Sequence, residues 1–465
     1  MRENRNYPRA NAVLPVRVTY REKHSTIGTE GSLNDFSNGG VGLILSHRLP
    51  TTLPTASLCI SLGPTHQVLE LDVRVVWLRP MQGDSSFRCG FQFVNVTDEQ
   101  LQQLKDAIRP DDTFIKGCIQ HIVETTRDSE LKDSITRFFV NEVKSYITNI
   151  AAAFENAQDG AVATERAKKQ INEFSNNIVL SGNRLEDVVQ DKLTALEIRK
   201  AFRLLLGPWI YQSHLMKHGF EKPKGYPGDH ALLEHIYDNR LTSRPGSLGM
   251  YFDNYFLGNA YAESVRKRKD KTLDLLRRYL EGATSKLAVL NLACGSCREI
   301  RDLMAENTKY ADQLQLTALD QDVDALRFSE QALRSVAPAL SVRFVQEDIL
   351  NLIRDPKGFA KNLGSQDVIY SIGLADYLPD RVLKKLVKFC MGILRPGGRF
   401  IIAHKDQERD KQAPLPPEWF CDWHFCERSE AKLINLVQEV TTCPITIERD
   451  ASERIFFLIV TPPET

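Results

Sequence analysis

Net charge is the first thing the chain lacks: across 465 residues, 60 lysines and arginines balance 60 aspartates and glutamates, and the pI is near 7.1. That balance gives no global electrostatic case for a nucleic-acid polymer or a membrane surface as partner. No apolar run approaches the roughly 18 residues that a membrane span needs. The opening stretch MRENRNYPRANAVLP lacks the apolar core of a secretory signal. There is no internal repeat and no low-complexity tract. The nine cysteines are odd in number and scattered over three regions, which argues against a disulfide framework and fits a reducing, cytoplasmic setting. The dehydrogenase fingerprint G-x-G-x-x-G is missing as well. What is present is an ordinary globular composition, 42% hydrophobic and 26% charged, enough for roughly two to four domains.

Three regions differ in texture. In residues 1–110, LPVRVTY, VGLIL, ASLCISL, LELDVRVVWL and FRCGFQFV are β-rich runs parted by Gly, Pro, Asn and Ser. DEQLQQLKDAI then reads as a helix, with Thr97 or Asp98 as its cap. Short strands, regular turns and one closing helix suggest a small antiparallel β-barrel. Residues 111–239 form an all-α middle region, with almost no Pro or Gly in most of it and apolar positions such as Ile119, Ile122 and Val123 near helical spacing. Residues 240–465 alternate strand-length apolar runs, LAVLNLA, LQLTALD, VRFVQED, DVIYSIG, RFIIAH and RIFFLIV, with helical stretches. That alternation predicts an α/β, doubly wound, Rossmann-like sheet, with an antiparallel hairpin as an option at its end.

Two stretches carry candidate chemistry. Near the amino terminus, RNYPR places Arg5 and Arg9 four apart, and DFSNGG follows about thirty residues later. An Arg fork pairs bidentately with phosphate or with the O6/N7 edge of guanine and can stack on a purine. Asp35 could orient an Arg or accept from a base, Ser37 offers a hydroxyl, and Gly40 lets backbone approach a ligand. A solvated basic arm beside an ordinary turn is the plain alternative. Further on, LAVLNLACGSCREI is a strand, a small-residue loop and a helix, with Ala293, Gly295 and Cys297 in the places of a G-x-G-x-G loop. Asp320 ends the next strand, where an acid can accept from both ribose hydroxyls of an adenosine. Asp348 ends the third, placed to meet an adenine amino group. CxxC at Cys294 and Cys297 falls inside the loop. CDWHFC lacks a fourth ligand at normal zinc spacing, and no metal site is expected.

Taken together, RNYPR and DFSNGG resemble the RxxxR and D/NxSxxG pair of PilZ domains, which bind cyclic di-GMP. The resemblance covers residues 1 to 110 and implies contacts from Arg5, Arg9, Asp35, Ser37 and Gly40. The order of strand ends from 280 to 460 resembles class I S-adenosylmethionine-dependent methyltransferases, although Asn291 stands where an acid is common and only one loop glycine remains. That implies S-adenosylmethionine at Ala293, Gly295, Asp320 and Asp348. KGYPGDHALLEHIY, CREI, LDQDVDAL and YSIGLADYLPD are similar to proteins labelled as making extracellular-factor 3-hydroxypalmitic acid methyl ester. The label implies carboxyl O-methylation of a hydroxy fatty acid; the PilZ resemblance adds cyclic di-GMP as a regulatory ligand of the same chain. The family match makes KGYPGDH a substrate or cofactor lid carrying Tyr226, Asp229 and His230, and makes Asp376 and Tyr377 acceptor-side groups. A turn and a capped helix start are the plain alternatives for the two. Tyr226, Asp229 and Tyr377 are the catalytic candidates. A carboxylate acceptor is already ionised, carboxyl pKa values lying near ~4, and needs no base. A hydroxyl or amine would need one, for which His404 or His230 is available. The alternative to a regulated enzyme is a cyclic di-GMP receptor whose methyltransferase-like domain is silent.

Overall fold

The computed structural model describes residues 10–464 apart from 23–24, 38–39, 51–54, 62–67, 82–85, 109–111, 158–160 and 411–415. Six strands open the chain: β1 (Ala10–Glu22), β2 (Ser25–Ser37), β3 (Gly40–Leu45), β4 (Ala56–Ser61), β5 (Val68–Pro80) and β6 (Phe87–Phe93). They close into a barrel in the order β1-β2-β3-β6-β5-β4, every pairing antiparallel. Alternation sets the register. In β5, Leu69, Leu71 and Val73 turn inward while Glu70 and Asp72 face out. β2, STIGTEGSLNDFS, has little strand propensity and was not among the expected strands. It forms because both its edges are paired, to β1 and to β3. The helix α1 (Asp98–Ile108) follows with Thr97 as its cap. Gln100 N donates to Thr97 Oγ1 (3.1 Å) and Thr97 N to Gln100 Oε1 (3.0 Å), a reciprocal capping box.

The middle region is helical as expected: α2 (Asp112–Thr125), α3 (Ser129–Arg137), α4 (Lys144–Asn156), α5 (Ala161–Val188), α6 (Lys192–Ile210) and α7 (His214–Glu221). A π-helical turn, Phe138–Val143, joins α3 to α4. Then come α8 (His230–Tyr237), α9 (Leu248–Gly258) and α10 (Ala260–Glu281). The last part carries β7 (Leu287–Leu292), α11 (Arg298–Glu306), β8 (Leu314–Asp320), β9 (Ser341–Gln346), β10 (Gln366–Ser371), β11 (Leu394–Lys405), β12 (Ile445–Arg449) and β13 (Ile455–Val460). Their sheet has the order β12-β13-β11-β10-β7-β8-β9. Strands β7 to β11 run parallel, and β13 is antiparallel to both β11 and β12. Both faces are covered. Ile401 and Ala403 belong to one apolar core, Phe400 and Ile402 to the other, as a period of two requires. The strand order reverses between β7 and β10. The carboxyl ends of those strands therefore open on the crevice where doubly wound sheets take ligands.

The chain divides into two units. One comprises Met1–Lys217, Thr242–Tyr255 and Trp419–Asp422; the other comprises His218–Leu241, Phe256–Glu418 and Trp423–Thr465. Within the first, Asp253 is fully buried and accepts from Ser213 Oγ (2.6 Å), Thr242 N (2.8 Å) and Ser243 N (2.6 Å), which fixes the Thr242–Tyr255 segment. The Trp419–Asp422 segment is anchored as firmly. Trp419 is buried against Phe138 and Phe202, and its indole N–H donates to Asn183 Oδ1 (2.8 Å). Asp422 pairs with Arg203 (2.7 Å).

Candidate active site

Asp320 closes β8 and is buried. Its Oδ2 accepts from Gly295 N (2.8 Å) and its Oδ1 from Asp322 N (2.9 Å). Burial raises its carboxyl above the usual range, and the two N–H donors only partly offset that. The loop between β7 and α11 follows from this grip. Ala293, Gly295 and Cys297 all adopt positive φ (54°, 52° and 48°), so the backbone winds left-handed at alternate positions. Such conformations persist where surroundings over-determine them. Here Cys294 N donates to Leu319 O (3.0 Å) and Ser329 Oγ to Gly295 O (2.8 Å). Below the loop, Glu299 accepts from Asn291 Nδ2 (2.8 Å) and Tyr370 OH (2.7 Å). An acid from α11 thus stands beside Asn291, where the pattern has an acid on the strand. Asp348 lies one strand further on, and its carboxylate caps the helix Ile349–Arg354 by accepting from Leu350 N (2.8 Å).

The segment KGYPGDHALLEHIY runs along these strand ends. Lys224 pairs with Asp324, and Tyr226 OH donates to Asp322 Oδ2 (3.2 Å). His230 Nδ1 lies 3.6 Å from the same carboxylate. On α8, Glu234 accepts from Ser296 Oγ (2.6 Å), from Arg298 (3.2 Å) and from Arg301. The segment is therefore tied to both the loop and the acids. Asp229 caps α8 through Ala231 N and Leu232 N (3.0 Å each), and its other oxygen meets His218 Nε2 at 2.6 Å. Burial opposes ionisation of Asp229, yet His218 and the Leu232 N–H hold its carboxyl below the usual range. The expected turn and the expected site residue are one object here.

Gly228 carries the segment to a second wall. Its φ is +70°, and a Cβ there would lie 2.7 Å from the Trp423 ring and 3.6 Å from Tyr377 OH. Only glycine fits. Trp423 Nε1 donates to Tyr377 OH (2.7 Å), and Tyr377 is hydrogen-bonded to Tyr261. Phe425 completes the set, with ring centroids 5.5 Å from Tyr261 and 5.8 Å from Tyr377. The Lys405 ammonium lies 3.7 Å from the Phe425 centroid and 4.3 Å from that of Tyr261. Burial raises the Tyr377 phenol well above its ordinary value, so it stays protonated. Beside it, Arg268 is buried with its guanidinium near the Gly373 backbone. It donates to the Tyr237 hydroxyl, stands 3.7 Å from Asp376 Oδ2, and its Nε has no hydrogen-bond partner among the described residues. His404, a candidate base, is pushed down by burial and stays neutral. Its Nδ1 donates to Lys405 O (2.6 Å) and its Nε2 accepts from Arg428 (3.1 Å), which uses its lone pair.

The segment that carries Tyr226 and Asp229 thus reaches Asp322, two residues beyond Asp320, at one end and Tyr377, through Gly228, at the other. Tyr261, Arg268, Glu234 and Trp423 went unremarked in the sequence as site residues. Trp423 sits inside CDWHFC, whose aromatic density was its only signal. Among the described residues no group of three or more His, Cys, Asp or Glu is placed to hold a metal ion, and Cys421 is buried with its Sγ toward Met216 O (3.6 Å). On the barrel, Asp35 and Ser37 lie on β2 and Gly40 on β3, with Ser37 paired to Gly40. A Cβ at Gly40 would stand 2.1 Å from Phe91 O, so close approach of β6 itself demands that glycine. Arg5 and Arg9 lie outside the described residues.

Residues 3–109 match the family described as PilZ domain, and residues 289–398 match the one described as Methyltransferase domain. The chain carries a PilZ domain and a methyltransferase domain. No curated protein matches it. Solved structures similar to this chain include a possible exported protein from Bordetella parapertussis, at 15% identity over 69% of this chain and 96% of that one, TM-score 0.39. Magnesium protoporphyrin IX methyltransferase from Synechocystis PCC 6803, with bound S-adenosylmethionine, is 13% identical over 43% and 83%, TM-score 0.32. The N-methyltransferase NodS from Bradyrhizobium japonicum WM9 is 15% identical over 43% and 97%, TM-score 0.31. None of these similarities bears on the acceptor. Among the described residues, no helix is long and apolar enough to cross a membrane.

Proposed function

We propose that this chain transfers a methyl group from S-adenosylmethionine to the carboxylate of a small acceptor, and that cyclic di-GMP on the barrel controls the reaction. The observation that carries the acceptor class is Arg268. A buried guanidinium is always charged, and a buried donor left unmet costs about 1–3 kcal/mol. Its Nε is unmet among the described residues, and an oxyanion at the crevice would meet it. His404 supports the same reading, because its lone pair is taken and it cannot deprotonate an alcohol or amine. A carboxylate arrives ionised and asks for no base.

The residues present suit the methyl donor. Asp320 is a buried, ionisable acceptor at the end of β8, and an adenosine ribose offers it two hydroxyls. S-adenosylmethionine supplies an electrophilic methyl group on a sulfonium when bound. The chain does the rest: Asp320 and the wound loop hold the nucleoside, Arg268 holds the carboxylate, and Tyr261, Tyr377, Trp423 and Phe425 exclude water. Positioning and desolvation are what such a displacement needs. A hydroxy fatty acid fits this arrangement, the aromatic wall taking the chain beside the carboxylate. By the resemblance to PilZ domains, Arg5, Arg9, Asp35, Ser37 and Gly40 hold cyclic di-GMP.

A methyl-labelled donor, offered with hydroxy fatty acids, their amides and the matching alcohols, tests the reading. Label in a base-labile ester of the acid alone supports it. Label in the alcohol or amide, or none in any acceptor with donor bound, overturns it.

A further inference from the structure

The polypeptide passes from the first unit to the second at three places, and two of them, after Tyr255 and after Asp422, lead to the same wall. In the first unit, Tyr255 and Phe420 pack edge to face, with centroids 6.0 Å apart. Six residues after Tyr255 comes Tyr261, and three after Phe420 comes Trp423. In the second unit, Tyr261 and Trp423 also pack edge to face, with centroids 5.5 Å apart. The chain passes between units at Tyr255 and Phe256, within α9, and again at Asp422 and Trp423. Both lines are anchored on the first unit by side chains: Tyr255 OH donates to Asn176 Oδ1 (3.1 Å), Trp419 Nε1 to Asn183 Oδ1 (2.8 Å), and Tyr211 OH to Phe420 O (2.9 Å). Both Asn176 and Asn183 belong to α5.

We infer that these two lines act as a paired strap by which the first unit sets the position of the acceptor wall, Tyr261 and Trp423 in particular. The strap is covalent and short, so a shift of α5 relative to its neighbours reaches Trp423 through four residues and Tyr261 through six. Trp423 touches both Tyr377 and the place that Gly228 leaves open. A change there alters room for the acceptor and leaves the Asp320 grip on the nucleoside untouched. This inference rests on the proposed reaction for the name of the wall, and it supplies a route by which a ligand of the barrel-bearing unit would govern that reaction. Tyr255, Trp419, Asn176 and Asn183 are positioning residues in this scheme.

The test uses the full chain labelled with 5-fluorotryptophan. Its four tryptophans give four fluorine resonances, with Trp423 assigned through Trp423→Phe. Asn183→Ala and Tyr255→Phe each loosen one anchor without touching the wall. Ser57→Ala is the control: it removes the Ser57 to Glu70 hydrogen bond (2.7 Å) on the barrel of the same unit, on neither line. The expected result is a shift of the Trp423 resonance in both anchor variants and none in the control. Where an acceptor is methylated, its KM rises about fivefold or more with the dissociation constant of S-adenosylhomocysteine unchanged. A Trp423 resonance that stays fixed while that of Trp419 moves, or that moves equally in the control, overturns the strap. So does an unchanged acceptor KM in both anchor variants. The fluorine measurement needs no turnover, so failure of the proposed reaction and failure of the strap are read separately.

Discussion

Asp320→Asn separates the cofactor grip from the shape of the loop. The carboxylate takes two backbone donors, Gly295 N at 2.8 Å and Asp322 N at 2.9 Å, and by the reading above two ribose hydroxyls. An amide keeps the volume but has one accepting oxygen, and its NH2 would face a donor. Hydrogen bonds to a charged group contribute about 1.5–3 kcal/mol each. Water recovers part of that in the free chain, so a net loss of about 2–3 kcal/mol is expected. At 1.4 kcal/mol per tenfold, that is roughly a 30- to 150-fold weaker dissociation constant. S-adenosylhomocysteine is the ligand to use, because it shares the ribose and does not react. Calorimetry at neutral pH reads the constant, and a melting curve checks that the variant folds. An affinity within about threefold of the parent (roughly 0.7 kcal/mol) in a folded variant refutes the assignment of Asp320. The same carboxyl gives a pH signature. Burial raises it, so on acidification it takes up its proton before an ordinary aspartate does. Affinity should fall on that acid limb in the parent and stay flat in Asp320→Asn. In the ligand-free chain the sign is opposite. The native state binds this proton more readily than the unfolded state. This group's contribution to stability therefore rises as pH falls from the raised value to the ordinary one.

Gly228→Ala should lower the melting temperature, since left-handed backbone costs an L-residue about 1–2 kcal/mol before the Trp423 clash is counted; an unchanged melting curve and acceptor KM would contradict the packing. Arg268→Met, similar in length and uncharged, should raise the acceptor KM roughly tenfold or more for loss of a charge-assisted bond, with S-adenosylhomocysteine binding unaffected, which calorimetry and initial rates distinguish. Tyr226→Phe removes one bond to the Asp322 carboxylate; faster proteolysis at residues 222–229 than in the parent is the expected sign of a loosened segment. Arg5→Ala or Arg9→Ala should weaken cyclic di-GMP binding by ~1.5 kcal/mol or more, and unchanged affinity in both would remove the barrel site from the reading.

Local signals carried much of the fold. β5 could be read because its inward and outward residues alternate, and β13 because IFFLIV is buried on both faces. β2 could not, since its strand state comes from two partners and not from its own Gly, Ser and Asn. The final hairpin proved to be β12 and β13, with β13 seated between β12 and β11. At the site, Asp320 was legible because strand ends are marked by their apolar runs. Arg268 was not. It sits mid-helix in RKRKDKTLDLLRR among charges that are half-buried or exposed, and only packing shows which one is buried. Asp229, expected either as a turn residue or as a catalytic one, caps a helix with one oxygen and meets His218 with the other.

The division of the chain bears on how the molecule is made. The first unit has Trp419 in its core, against Phe138 and Phe202, and Asp253 as an internal tie. A ribosome reaches neither until long after it has finished Lys217. At about 5–20 residues per second, the stretch from His218 to Glu418 takes roughly 10–40 s to synthesise. For that interval the π-helical turn after α3, together with α5 and α6, carries an aromatic socket with no ring in it, exposed apolar surface of the kind that chaperones hold. The amino-terminal half therefore cannot complete its fold in the order in which it is translated, and a chain stopped before Trp419 leaves that half without part of its core, however complete its own sequence.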